Sequence, residues 1–310
     1  VSATHPNEEK PAKRIAVTGG SGAIGTYVCD ELIKAGHDVT SLDLVPPRAD
    51  VGFIETDLTI LNDTREAIAG FDQVVHLAAI PDPYGGDPPE RVIGVNTVIS
   101  YNVFEAARLG DVKRIIYGCS DSSTGFGIHH ANLTPHYIPI DEQHPLWPHE
   151  TYSLSKHFGE RIGANYAKAF GLEVISLRYM WVWTQRIELE ILEEIVARAR
   201  AGAAPETVDN FGAHIAVRDV ARACAAAAKF KFAPSGGVPF EAVFLAAKNT
   251  YYAVPTLTLV EAFCGQCPPV KDTAYFEDNP TASVFDIRKA QRLLGWEPQL
   301  DWRNFEEWEL

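Results

Sequence analysis

Short apolar runs alternate with helical stretches along the first two-thirds of this chain. Ile15–Thr18 reads as a short buried strand, and Thr26–Ala35 as the helix after it. Val39–Leu42, Phe53–Thr56 and Val74–Ala78 follow as strands. Arg91–Arg108 has the pattern of a long helix, Arg114–Tyr117 of a strand, Tyr152–Phe170 of a second long helix, and Val174–Leu177 of a sixth strand. Strands separated by helices imply right-handed crossovers and a parallel sheet, which is the α/β class. The last third has shorter elements and more proline. Val217–Phe230 and Asp286–Leu294 read as helices, the latter ended by Gly295, and Val243–Ala246 as a strand. The pattern predicts a polar, disordered tail over residues 1–12, a main domain over 13–180, and a smaller lobe over 181–310 that closes over substrate and returns segments to the sheet.

The first strand runs into Thr18-Gly19-Gly20-Ser21-Gly22-Ala23-Ile24-Gly25, which opens the first helix. Such glycines permit a tight turn, close approach of a pyrophosphate to the backbone, and close helix–sheet packing, and the helix N-terminus supplies N–H donors. Strand, glycine turn and helix in this order predict a Rossmann-type doubly wound sheet that binds a dinucleotide. Gly19, Gly22, Ala23, Ile24 and Gly25 are its contact positions. Asp43 ends the second strand, where a carboxylate accepts the adenosine ribose hydroxyls and repels a 2′-phosphate, so the cofactor expected is NAD. Asp57 and Leu58 are placed for the adenine edge. Leu77, Ala78 and Ala79 end the fourth strand with residues the cofactor can pass closely.

Tyr152 and Lys156 stand four apart at a helix start and share a face. An ammonium roughly 4 Å from a phenol, at an effective dielectric near 20, favours phenolate by about 4 kcal/mol. That is about 3 pKa units, enough to bring Tyr152 near 7 as a general base. The fifth strand leads into Cys119-Ser120-Asp121-Ser122-Ser123. There Ser120 can hydrogen-bond the substrate oxygen that changes protonation, and Ser122 a neighbouring hydroxyl. Asn96 lies inside a helix, where Asn is poor on propensity, and is expected in a structural or water-holding role behind Lys156.

With these residues assembled, the chain resembles the extended short-chain dehydrogenases, the NAD-dependent epimerase/dehydratase family, over roughly residues 13–300. The resemblance rests on the 18–25 turn, Asp43, Asp57-Leu58, His76 to Ala79, Asn96, Ser120, Tyr152 to Lys156 and Leu177-Arg178. Asp286 to Ala290 and Leu294 to Pro298 complete it. It implies hydride transfer at C4 of nicotinamide, with Ser120, Tyr152 and Lys156 as catalytic residues and Asn96 among the cofactor contacts. It also implies a homodimer formed through the two long helices. Two departures point away from a nucleotide-sugar substrate. Arg178-Tyr179-Met180-Trp181-Val182-Trp183 replaces an Asn-containing Gly-Pro turn, and Phe211-Gly212-Ala213 stands where such epimerases carry a diphosphate-binding Arg. The chain is also shorter than most such epimerases, and in that respect it resembles the uronate and free-sugar dehydrogenases of the same family. Arg178, Tyr179 and Trp181 are then candidate substrate residues, with Trp183 as a further stacking surface.

Composition narrows the alternatives. The formal net charge of −14 disfavours nucleic acid and anionic membrane as partners. No apolar run reaches the roughly 18 residues of a membrane span. Five scattered cysteines in a long chain suggest reduced thiols and a cytoplasmic protein, and Cys264-x-x-Cys267 lacks further zinc ligands nearby. His129, His130, His136, His144, His149 and His157 lack metal-ligand spacing, so no metal is expected. The expected partner is a small carbohydrate-like substrate. Three functions stay open: a sugar dehydrogenase, a nucleotide-sugar epimerase or dehydratase, and a dinucleotide-sensing regulator without turnover.

Overall fold

The computed structural model describes residues 12–48, 50–81, 86–126, 133–184, 189–201, 210–233 and 237–303. Apart from Ala12, the expected tail lies outside them, as do His129 and His130. The first six strands are β1 (Arg14–Thr18), β2 (Asp38–Asp43), β3 (Gly52–Glu55), β4 (Gln73–His76), β5 (Arg114–Ser120) and β6 (Glu173–Tyr179). Two short strands, β7 (Trp181–Trp183) and β8 (His214–Ala216), pair with each other in a second sheet, and β9 (Phe240–Leu245) returns to the first. The main sheet is wholly parallel in the order β3-β2-β1-β4-β5-β6-β9. The chain lays strands to one side of β1 and then reverses to place β4 on the other. A crevice therefore opens beyond the carboxyl ends of β1 and β4.

The helices are α1 (Gly25–Lys34), α2 (Leu61–Ile68), α3 (Pro89–Leu109), α4 (Thr151–Phe170), α5 (Leu189–Arg200), α6 (Val217–Lys229), α7 (Thr256–Cys264), α8 (Thr273–Asp278) and α9 (Arg288–Leu294). Alternation along the strands feeds two cores. Ile15 and Val17 pack with Val28, Leu32 and the α6 alanines, while Ala16 faces the opposite core with Val103, Phe104 and Tyr166. All seven residues of β5 are buried, as expected of an inner strand covered on both faces. Pro89 sits at the first helical position of α3, so that helix starts two residues before its expected Arg91. The last helix starts at Arg288 because Asp286 accepts the Arg288 N–H at 2.9 Å. Strands β7 and β8 were not expected; Trp183, read as a stacking surface, is fully buried in β7 and stacks on His214 at 4.1 Å. Among the described residues, no helix is long and apolar enough to cross a membrane.

Two glycines seat α4. A Cβ on Gly159 would lie 2.0 Å from Tyr117 Oη, and one on Gly163 would lie 2.8 Å from Phe104 Cζ. The bare backbone lets α4 rest on β5 and on α3 together. That contact carries Tyr152 and Lys156 over the end of β5.

Candidate active site

A cavity of about 440 Å³ occupies the crevice. Gly19, Gly22 and Gly25 line its floor with Ala23 and Ile24. Asp43, Asp57 and Leu58 line a second side, and Leu77, Ala78 and Ala79 a third. Sequence reasoning missed Arg91, Val95 and Ile99, which add an α3 wall. Val95 and Ile99 have the apolar spacing of any half-buried helix and Arg91 is an exposed charge, so nothing in the sequence marked them.

The turn is built for close approach. Gly19 has φ 70°, and a Cβ there would lie 2.8 Å from Ala78 N; one on Gly25 would lie 2.0 Å from Gly19 O. Thr18 Oγ1 accepts N–H bonds from Leu77 at 3.2 Å and Ala78 at 3.3 Å, locking the ends of β1 and β4 together. Asp43 accepts the Ser21 N–H at 3.1 Å and the Leu44 N–H at 2.7 Å, which fixes its carboxylate at the rim. Asp57 accepts from the Thr59 hydroxyl at 2.7 Å, and that bond holds its carboxyl below the usual range. A glycine floor, a helix N-terminus and a fixed carboxylate at the end of β2 fit a dinucleotide with free ribose hydroxyls.

Asn96 does not line this cavity. Its Oδ1 accepts the Ile80 N–H at 2.7 Å, and its Nδ2 donates to Ile80 O at 3.0 Å and to Ser155 Oγ at 3.2 Å. Ser155 Oγ in turn donates to Tyr152 O at 2.7 Å. Asn96 therefore braces the loop after β4 against α4, and the direct cofactor contact expected of it is corrected to this brace.

Beyond the cavity stand Ser120, Tyr152 and Lys156. Lys156 Nζ donates to Gly118 O at 2.8 Å, and a Gly118 Cβ would touch Leu77, which lines the cavity. Burial pulls the Lys156 ammonium down to about 8. Tyr152 departs from expectation: its phenol is raised, not lowered. Burial is the largest cause, followed by the Asp121 carboxylate, with hydrogen bonding to Ser120 acting the other way. The expectation weighed the lysine charge alone. In the fold Lys156 is tied to a carbonyl, 5.8 Å from the Tyr152 ring centroid. Glu150 caps α4, accepting the Tyr152 N–H at 2.7 Å together with the Ser153 N–H.

Ser120 Oγ donates to Asp121 Oδ1 at 3.1 Å and accepts the Ser122 N–H at 3.1 Å. Ser122 Oγ is buried without a partner among the described residues. Asn210, from the turn before β8, donates to Asp121 Oδ2. Asp121 and Asn210 were both missed: the acid was hidden in a serine run, and Asn210 is nearly ninety positions away.

Two substrate candidates need correction. Arg178 is spent beneath the sheet, where its Nη2 and Nε meet Glu160 at 2.6 and 2.9 Å, both side chains buried. Its parity on β6 turns it toward α4. Tyr179 is 8% exposed and packs in the core, with its hydroxyl 2.9 Å from where a Gly118 Cβ would be. Trp181, 41% exposed, is the candidate that faces solvent, edge-on to Tyr251 at 6.1 Å. The two CxxC thiols are free, and among the described residues no group of three His, Cys, Asp or Glu is placed to hold a metal.

The chain has relatives among sugar dehydrogenases and nucleotide-sugar epimerases. It is 34% identical over 193 residues to L-arabinose 1-dehydrogenase (NAD(P)(+)) of Haloferax volcanii, covering 60% of this chain and 74% of that one. It is 28% identical to a uronate dehydrogenase of Pseudomonas syringae pv. tomato, covering 55% and 60%. The chain thus spans less than two-thirds of the latter's length. A solved UDP-galactose 4-epimerase matches 95% of this chain and 100% of its own, at 25% identity and a TM-score of 0.65. The profile of the NAD dependent epimerase/dehydratase family matches residues 15–238, so the chain belongs to that family, whose cofactor is NAD.

Proposed function

We propose that this chain is an oxidoreductase that moves hydride between NAD and a secondary alcohol or lactol carbon of a small sugar or sugar acid. When bound, the nicotinamide supplies the hydride acceptor at its C4. Tyr152 Oη takes the proton of the reacting hydroxyl. Ser120 Oγ holds that oxygen in place, and Ser122 Oγ meets a neighbouring hydroxyl. Lys156 remains a cation at neutral pH, since burial brings it only to about 8, and its charge favours the phenolate as it forms. Trp181 offers an exposed aromatic face for a sugar ring. The lobe around β7 and β8 forms the substrate side of the site.

The observation that carries this reading lies at residues 211–213. Phe211 is fully buried, 4.5 Å from Phe263 by ring centroids. Gly212 has φ 70°, and a Cβ there would meet the Tyr252 ring at 2.6 Å. Ala213 is buried as well. This stretch has no room for an arginine that could bind a diphosphate, and Arg178 is already paired. A neutral free sugar asks for neither charge, and the single carboxylate of a sugar acid does not ask for a diphosphate clamp. The test is a panel of aldoses, uronates and polyols with NAD, followed by absorbance of the reduced cofactor. Turnover on at least one sugar is expected; none on the whole panel refutes the reading.

The full-length match to an epimerase supports a second reading, in which NAD is retained and regenerated in each cycle. It predicts NAD that survives purification and no net reduction. In either case Val98 and Tyr101 of α3 and Phe158 of α4, each at least 40% exposed, offer an apolar face for a second copy. Light scattering at twice the monomer mass tests this.

A further inference from the structure

Ser120 is more constrained than a free hydroxyl. Its one proton has two takers, Asp121 Oδ1 at 3.1 Å and the Tyr152 hydroxyl, with which Ser120 also hydrogen-bonds, while one lone pair takes the Ser122 N–H. Asp121 is 6% exposed and is held from the other side by the amide of Asn210. Asn210 is itself placed at a cost. It and Phe211 have φ 41° and 55°, consecutive non-glycine residues in the left-handed region. Strain of this kind persists where packing over-determines it and clusters at functional sites. Here Phe211 is clamped between Phe126, just past the Ser120 turn, and Phe263 of α7.

We propose that Asp121 is a positioning residue of this site: its carboxylate competes for the Ser120 proton and so sets where the Ser120 hydroxyl points, and Asn210 fixes that carboxylate from the turn before β8. A serine left free could donate to the Tyr152 phenolate and stabilise it. Asp121 competes for that proton and adds a negative charge nearby. Both effects keep Tyr152 protonated to higher pH. The other groups that face Tyr152 are Cys119 on β5, Glu150 at the α4 cap, Lys156 one turn along and Tyr179 on β6. Only Asp121 also holds Ser120.

The inference rests on the roles proposed above for Ser120 and Tyr152, and the experiment separates the two. kcat/KM for oxidation is measured against pH with NAD and L-arabinose, D-galactose, D-glucuronate and D-galacturonate. The wild type is compared with Tyr152→Phe, Asp121→Asn, Ser120→Ala and the Asp121→Asn, Ser120→Ala pair. In Asp121→Asn the rising limb is expected to move to lower pH by about one unit, the effect of one nearby charge plus the released serine proton. In the Ser120→Ala background the same substitution moves it by less than half as much. Equal shifts in both backgrounds, or no shift, overturn the positioning role while leaving the site intact. No turnover by wild type, or full activity in Tyr152→Phe, overturns both readings. Asp121→Ser, which adds no volume, provides the same comparison if the Asn variant does not fold.

Discussion

Replacing Gly159 by Ala tests whether the seat of α4 on β5 sets the geometry of the site. The new methyl would lie 2.0 Å from Tyr117 Oη and 2.4 Å from Cζ of the same ring. Tyr117 is buried in the inner strand β5, so the ring cannot swing into solvent. Relief requires α4 to lift by more than about 1 Å, at an overpacking cost of about 1–3 kcal/mol. Residues 152 and 156 ride on the same helix, about two turns and one turn before Gly159. A displacement of about 1 Å in a positioned group can cost on the order of 100-fold in rate. Gly159→Ala is therefore expected to lose about two decades of kcat, while NAD affinity, set mainly at β1 and β2, changes less than about threefold. The assays are steady-state kinetics, NAD titration by protein fluorescence, and denaturant unfolding. A paired Gly159→Ala, Tyr117→Leu variant removes the opposing ring and should recover part of the stability. A Gly159→Ala protein with wild-type kcat and stability would refute the argument that this contact sets the helix height.

Three further outcomes follow from the same contacts. Glu160→Gln leaves Arg178 buried without its carboxylate and should cost about 3–5 kcal/mol, read from denaturant midpoints. Burial would raise the Glu160 carboxyl, but the hydrogen bonds and charge of Arg178 outweigh it and hold it low. The wild-type advantage is therefore full above the unfolded carboxyl value of about 4.3 and falls away as pH drops through the folded one; an advantage growing in acid would contradict this. Because burial and Asp121 raise Tyr152, oxidation should quicken toward alkaline pH and carbonyl reduction should slow, measured in both directions across pH. Asp43→Ala should weaken NAD about 10- to 100-fold through lost charged hydrogen bonds and narrow the preference over NADP, checked by KM for both.

The elements that the sequence made legible are those in which one residue type is forced by backbone geometry. Gly19 and Gly25 could be placed because no side chain fits there, and the succession of strands and helices follows from alternating periods of apolar residues. Tyr152 and Lys156 were singled out because their spacing fixes a shared face, and Ser120 because it ends a strand of the parallel sheet. Arg178 was misplaced because composition does not say on which side of a strand a charge ends. Parity offered a clue, since Ser176 lies two residues earlier and bonds the same Glu160 at 2.7 Å. Glu160 itself stands four residues beyond Lys156 on the same helix. The error on Tyr152 came from counting charge without burial. Asn210 gave no local signal, because its contact with Asp121 is created only by the return of the chain through β8.

The close approach of Gly212 to Tyr252 has a consequence for how this scaffold can change. An arginine at 212, the step toward a diphosphate ligand, collides with the Tyr252 ring while the aromatic remains, and it must also adopt the backbone angle of a glycine. Shrinking Tyr252 first opens a void beside Tyr251, whose ring centroid is 4.5 Å away, and brings no new binding. Each single step is a loss, and the backbone angle at 212 remains to be met even when the two are changed together. An arginine at 212 thus meets a two-step barrier in sequence space, and a library that varies residues 212 and 252 together probes it where one that varies them singly does not.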